Sequence, residues 1–312
     1  MTAIPGPAPS RRVFANFEIL AMIGKGGMAE VFRARVISGP REGQLVAIKR
    51  LLPDLAKDPE YVDLFTSEAD LARMLTHPNI VRTYEVGVHK DVYYIAMEFI
   101  DGRDLGVVLK RCKQNNIRMP VDFAVYLCRV LLDALSYAHE VKGASGRPLG
   151  IVHCDISPSN LFISRTGEIK LGDFGVARAK AGTPDQVGIS GKPHYVSPEM
   201  IEGSVTPEAD LWAANVTLYE LLTGERPFKG TTPAEIFRAI HEREWARPKD
   251  LRPDISDDLS AIVERGFAPD PAFRFQTAGE FYEALQPHFD EFIGTPLAIA
   301  SLVRGLFGAN AA

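Results

Sequence analysis

The segment His153-Cys154-Asp155-Ile156-Ser157-Pro158-Ser159-Asn160, followed downstream by Asp173-Phe174-Gly175, gathers oxygen-bearing side chains suited to one reaction. An alcohol that attacks a phosphate needs a carboxylate to take its proton, and a polyphosphate needs a divalent cation held by hard oxygen ligands. Asp155 suits the first task, and Asn160 with Asp173 the second. The chemistry implied is phosphoryl transfer from Mg-ATP. An Asp-Phe-Gly tripeptide alone is weak evidence; the two segments in this order are much stronger.

A second constellation lies near the start of the chain, in Gly24-Lys25-Gly26-Gly27-Met28-Ala29-Glu30-Val31. A phosphate loop of the Walker type needs Gly-Lys followed by Ser or Thr after four spacers, and a dinucleotide fingerprint needs a helix after its glycines. Neither is present, because a β-prone run follows. A plain flexible turn is the remaining alternative. Against it stands Val46-Ala47-Ile48-Lys49 further on, since small residues let backbone N–H groups approach phosphates and a strand-borne lysine adds a point charge. Lys49 needs a carboxylate to hold its flexible stem. Glu68 is the candidate, with Asp63 and Asp70 as rivals and a solvent-facing glutamate as the bland reading.

With these motifs in order, the chain resembles a eukaryotic-type protein kinase of the bacterial serine/threonine group, over residues 16 to about 290. The resemblance implies an α+β, two-lobed kinase fold that uses ATP and Mg2+ and acts on protein substrates. It implies that Lys49 pairs with Glu68, that Asp155 is the catalytic base, and that Asn160 and Asp173 bind magnesium. It places Ile23, Gly24, Lys25, Gly26, Gly27, Met28, Ala29, Glu30 and Val31 around the nucleotide. Met97 guards the back of the adenine pocket, and the backbone of Glu98 and Ile100 bonds the adenine edge. Val31, Ala47 and Phe162 sandwich the ring, while Asp104 reaches the ribose. Ser197-Pro198-Glu199 and Arg274 stand where the family has a pair that anchors the substrate-binding segment, and Asp210-Leu211-Trp212 resembles the start of its buried central helix, with Asn215 in place of the usual glycine.

Three departures carry consequences. Cys154 replaces the arginine that reads a phosphate on the activation segment, so turnover is expected to survive Thr183→Ala combined with Ser190→Ala. Ser157 stands where serine/threonine kinases carry a lysine, and Lys192 stands where they carry a threonine. The hydroxyl and the ammonium are thus exchanged, and Lys192 is expected to reach back toward Asp155 and the γ-phosphate while Ser157 supplies the hydroxyl bond. A solvent-facing lysine is the alternative. Finally, Ser159 replaces a glutamate that often selects basic peptides, so no strong basic preference is indicated. A pseudokinase scaffold that retains nucleotide binding is the runner-up function, although its usual signature is loss of Lys49, Asp155 or Asp173. A small-molecule phosphotransferase is disfavoured by the Ser-Pro-Glu segment.

The elements that must position these residues are partly legible. Phe17–Ile23 and Val31–Ile37 read as a hairpin, Gln44–Lys49 as a third strand, and Ile80–Val88 with Val92–Phe99 as two more. Tyr61–Leu75 spaces Leu64, Phe65, Ala69, Ala72, Met74 and Leu75 as a helix ended by His77-Pro78-Asn79. Beyond Asp101-Gly102 the pattern turns helical at 121–141, 209–222, 233–243, 257–267 and 277–289, with short strands at 161–163 and 169–171. The expected organisation is a loose Pro-rich tail over 1–15, a kinase-like domain over 16–290 divided near residue 100, and an amphipathic helix and tail over 291–312.

The 312 residues carry a formal charge of −5 with 46% hydrophobic content, as in an ordinary soluble enzyme, and no basic run suits nucleic acid. The start lacks the apolar core of a signal peptide, and no stretch offers a membrane span. Three cysteines without metal-ligand spacing suit reduced thiols, so a cytoplasmic protein is expected. In the last stretch Ile299, Leu302, Val303, Leu306 and Phe307 share one helix face. That face is expected to pack on its own domain or dock to another subunit, with membrane binding least favoured because only Arg304 is basic there.

Overall fold

The structure is a computed structural model that describes residues 12–143, 145–174, 192–289 and 294–308. It divides into two compact units, one formed by residues up to Met74 with Arg82–Phe99, the other by Leu75–Val81 with the chain from Ile100 onward.

The first unit is a six-stranded antiparallel sheet with one helix. Its strands are β1 (Val13–Phe14), β2 (Phe17–Lys25), β3 (Ala29–Val36), β4 (Leu45–Leu51), β5 (Thr83–His89) and β6 (Val92–Glu98), in the order β1-β2-β3-β4-β6-β5. Alternation along the strands sends Phe17, Phe32, Ala34, Val46, Ile48, Tyr94 and Ala96 into one apolar cluster. A second cluster joins Ala29, Leu51 and Ile95 to Phe65 and Ala69 of α1 (Pro59–Met74). Phe65 and Ala69 are four apart, so they meet the sheet on one helix face.

Three expectations are corrected here. Val13 and Phe14 are not part of a loose tail: they pair with Glu18 and Phe17, and Phe14 is buried. Met74 is 55% exposed rather than on the packed face of α1. Ile80 and Val81 do not open β5. They belong to the other unit, where Val81 N–H donates to Leu171 O (2.8 Å) and Leu171 N–H donates to Asn79 O (2.7 Å).

The second unit holds a small sheet, β7 (Gly102–Asp104), β8 (Leu161–Ser164) and β9 (Ile169–Leu171), and most of the helices. These are α2 (Leu105–Gln114), α3 (Val121–Glu140), α4 (Pro198–Ile201), α5 (Pro207–Thr223), α6 (Pro233–Glu242), α7 (Pro248–Leu251), α8 (Asp257–Gly266), α9 (Ala278–Ala284) and α10 (Pro296–Phe307). α5 is apolar nearly all round and is buried accordingly, packed against α3 and α8. The helix expected over 277–289 stops at Ala284, and Gln286–His288 continues as a 3-10 turn around Pro287, whose ring cannot continue an α-helix.

The apolar face of α10 packs on its own unit. Ile299, Ala300, Val303 and Leu306 are buried, and Arg111 Nε of α2 donates to Leu306 O (3.1 Å). The turn between β8 and β9 approaches so closely that a Cβ on Gly167 would lie 2.0 Å from Pro296 O. Packing of this face on its own unit is thus the observed arrangement, formed by Ile299, Ala300, Val303 and Leu306. Among the described residues no helix is long and apolar enough to cross a membrane.

Candidate active site

In the second unit, the loop that carries Asp155 is held from beneath by Asp210, which is 1% exposed at the start of α5. Its carboxylate accepts the backbone N–H groups of His153 (2.8 Å) and Cys154 (2.9 Å) and lies 2.9 Å from His139 Nε2. These bonds hold Cys154 at φ 64°, a left-handed conformation that costs a non-glycine residue about 1 kcal/mol or more. The backbone N–H of Asp155 then donates to His153 Nδ1 (3.2 Å), so the other ring nitrogen carries the proton and donates to Gly172 O (3.0 Å). His153 is completely buried, and burial pushes its pKa below the usual histidine value despite nearby Asp210, Asp155 and Asp173. The neutral ring packs on Phe174 at 4.5 Å between centroids.

Asn160 orients the candidate base. Its Nδ2 donates to Asp155 O (2.7 Å) and Asp155 Oδ2 (2.9 Å), which spends both amide hydrogens and leaves Oδ1 as an acceptor. Gly172 N–H donates to Asn160 O (2.9 Å), so the residue before Asp173 is bonded to the residue that orients Asp155. Asp173 itself sits at φ 52°. Lys192 Nζ donates to Ser157 Oγ (2.6 Å) and lies 3.8 Å from Asp155 Oδ2. Asp155, Ser157, Asn160 and Lys192 therefore meet in one cluster. Phe162 lies in β8 over Gly172, and Asp104 caps α2 by accepting from Val107 N–H (2.9 Å).

In the first unit, Lys49 on β4 and Glu68 on α1 form an ion pair at 3.2 Å, with side chains only 16% and 13% exposed. Lys49 lies opposite Val31 on β3, and Ala47 opposite Met97 on β6. The glycine loop is a hairpin between β2 and β3, closed by Gly26 N–H donating to Ala29 O (2.8 Å). That bond removes the Gly26 amide from the groups able to meet a phosphate. Met28 and Ala29 turn their side chains into the core beside Phe65, and Lys25 pairs with Glu30 at 3.1 Å. The Glu98 N–H is also taken, by Arg82 O at 2.8 Å, which limits Glu98 to accepting. Thr183, Ser190 and Gly175 lie outside the described residues.

Asp210 and His139 support the loop, a role that the sequence does not give them. Asp210 stood out only within Asp210-Leu211-Trp212, as the start of a buried helix, and nothing singled out His139 on α3.

A β-rich unit with a Lys49–Glu68 pair, together with a helical unit in which Asp155, Asn160 and Asp173 follow a buried histidine, defines the protein kinase fold. The protein kinase domain model matches residues 17–288, and the chain belongs to that family, in its eukaryotic-type bacterial serine/threonine group. It is 36% identical over 313 residues to the tyrosine-protein kinase MasK of Myxococcus xanthus, covering 97% of this chain and 48% of that protein. It is 35% identical over 283 residues to the serine/threonine-protein kinase PrkC of Bacillus subtilis, covering 90% of this chain and 41% of PrkC. Among solved structures, the PknI kinase domain of Mycobacterium tuberculosis aligns with a TM-score of 0.68 at 26% identity, over 90% of this chain and 98% of that one. The chain thus spans less than half the length of these two curated relatives.

Proposed function

We propose that this chain is an ATP-dependent protein kinase that transfers the γ-phosphoryl group of Mg-ATP to serine or threonine hydroxyls of protein substrates. The observation that carries the reading is the Asp155 carboxylate, fixed by Asn160 at 2.9 Å with the Lys192 ammonium beside it at 3.8 Å. Asp155 takes the proton of the acceptor hydroxyl as its oxygen bonds to the γ-phosphorus, and the bond to the bridging oxygen breaks to release ADP. The donor set fits magnesium: Asn160 Oδ1 is left as an acceptor once the amide hydrogens are spent, and the Asp173 carboxylate is a second hard oxygen ligand. When bound, magnesium neutralises charge on the phosphates. Lys49, held by Glu68, is assigned to the phosphates, with the β2–β3 hairpin covering them. Val31, Ala47, Met97, Ile100 and Phe162 are assigned to adenine, and Asp104 to the ribose.

Lys192 and Ser157 are assigned the exchanged roles. The ammonium stabilises charge on the transferring group, and the Ser157 hydroxyl accepts from it and holds it in place. The name of MasK raises tyrosine as an alternative acceptor; Pro158 in the loop favours the serine/threonine form. A scaffold without catalysis has no such support, because Lys49, Asp155 and Asp173 are all present.

The test is incubation with labelled Mg-ATP and a generic protein acceptor, comparing the parent with Asp155→Asn. Label transfer that disappears in the variant is expected, with phosphoserine or phosphothreonine recovered after acid hydrolysis. Equal labelling by both proteins would overturn the assignment of Asp155, and phosphotyrosine alone would replace the acceptor class.

A further inference from the structure

Beside Asp155 the second unit has a cavity of about 700 Å³ whose wall is strongly cationic. It is bounded by α2, by Pro158 and Ser159 of the catalytic loop, by Lys192–Tyr195, and by the loop that follows α5. Five lining side chains are cationic and two, Glu220 and Glu225, are anionic. Both anions are already engaged. Glu220 accepts the Tyr195 hydroxyl and lies 3.6 Å from Arg226, while Glu225 pairs with Lys229 at 2.7 Å. Lys192 is committed to Ser157 and Asp155. Burial lowers the His194 pKa below the usual histidine value, against the opposing effect of its bond to Phe228 O (3.0 Å), and so disfavours a charge there.

The uncommitted charge belongs to Lys110 and Lys113. Gly106, Leu109, Lys110 and Lys113 all line the cavity, and their spacing puts them on one stripe of α2. Neither ammonium makes a hydrogen bond or ion pair with another described residue; Glu225 feels the Lys113 charge, but its own ion pair is with Lys229, at 2.7 Å. Two lysines on a helix are commonly a solvated face. These two share a concave wall with the residues that flank the candidate base, in a place where the local anions are neutralised by other cations. Walls of one sign raise the local concentration of ligands of the opposite sign. The catalytic loop offers no competing carboxylate at position 159, which is serine.

We propose that this groove selects acidic acceptor sequences, with Lys110 and Lys113 reading aspartate or glutamate side chains next to the hydroxyl to be phosphorylated. The inference rests on the phosphotransfer reading for its biological meaning, and on the groove alone for its binding preference.

Both are tested with the full chain. Binding of fluorescent serine peptides flanked by aspartate and glutamate, or by glutamine, is measured by anisotropy on Asp155→Asn protein at low and physiological salt. The acidic peptide should bind about tenfold tighter, the scale of one charge-assisted hydrogen bond, and the advantage should shrink as salt rises. Lys110→Gln with Lys113→Gln should remove the preference, and Lys110→Glu with Lys113→Glu should reverse it, with thermal melts checking that each variant folds. Equal binding of the two peptides, or a preference untouched by either double variant, overturns the proposal. In parallel, the parent is assayed for label transfer. Transfer without charge preference sinks the groove reading alone, whereas selective binding without transfer to any acceptor sinks the phosphotransfer reading alone.

Discussion

Replacing Lys192 with alanine is the perturbation that bears most directly on how this site works. The ammonium stands 3.8 Å from Asp155 Oδ2, which puts its charge beside the proposed site of transfer. Its catalytic contribution would lie in stabilising charge that develops on the transferring group, and removal of one such donor costs about 3 kcal/mol. Lys192→Ala should therefore slow the chemical step about 10²-fold. Single-turnover quenched flow with labelled Mg-ATP and saturating acceptor isolates that step, and circular dichroism with a thermal melt shows whether the variant is folded. The exchange itself is tested by Ser157→Lys combined with Lys192→Thr, which puts the cation on the loop and the hydroxyl opposite. Ser157 Oγ and Lys192 Nζ are 2.6 Å apart, so the two polar groups occupy adjoining positions and the double variant should recover about tenfold or more of the loss. An unchanged chemical step in folded Lys192→Ala would refute the reasoning.

Other expectations follow from contacts around the site. Arg274 is buried and bonds Glu199 at 3.0 Å and Ala268 O at 2.9 Å, so Arg274→Ala should cost about 3–5 kcal/mol in urea unfolding by stranding Glu199. A Cβ on Gly266 would lie 2.3 Å from Asn215 Cγ, so Gly266→Ala should destabilise by about 1–3 kcal/mol, and adding Asn215→Gly should restore part of the loss in the same assay. His153 has its pKa pushed below the ordinary 6.5 by burial, so the unfolded chain binds its proton first as pH falls. The His153 contribution is full above about pH 6.5 and declines below it until the folded-state pKa is reached; urea midpoints at about pH 7.5 and pH 5.5 should differ less in His153→Asn than in the parent.

The sequence was most readable where chemistry or burial leaves little choice. Two β-prone runs joined by a Gly-rich segment exposed the β2–β3 hairpin, and long helical patterns exposed α3 and α5. β7 escaped because Gly102, Arg103 and Asp104 have no strand character of their own and become a strand by pairing with β8. α2 was legible in principle, since Leu105, Val108 and Cys112 are its buried side chains at helical spacing, but the basic residues between them blurred the pattern. At the site, Asp155, Asn160 and Asp173 were visible because the reaction fixes both residue type and order. Asp210, His139 and the groove cations were not assigned, because each acquires its role from contacts between segments remote in the chain.

The exchange of Ser157 and Lys192 also changes what holds the cation in place. A lysine on the catalytic loop would be positioned by that loop, but Lys192 is followed by the 3-10 turn Pro193–Tyr195, and that turn is anchored elsewhere. Tyr195 N–H closes onto Lys192 O (3.0 Å), His194 bonds Phe228 O (3.0 Å), and the Tyr195 hydroxyl donates to Glu220 of α5. Burial and Glu220 raise the phenol pKa, so the hydroxyl keeps its proton and remains a donor. The charge beside Asp155 is thus fixed by α5 and the loop after it, the same segments that form one wall of the cationic groove. A substrate that engaged that wall, as proposed, would touch the residues on which the placement of Lys192 depends, so the proposed acceptor groove and the charge beside Asp155 share one mechanical support.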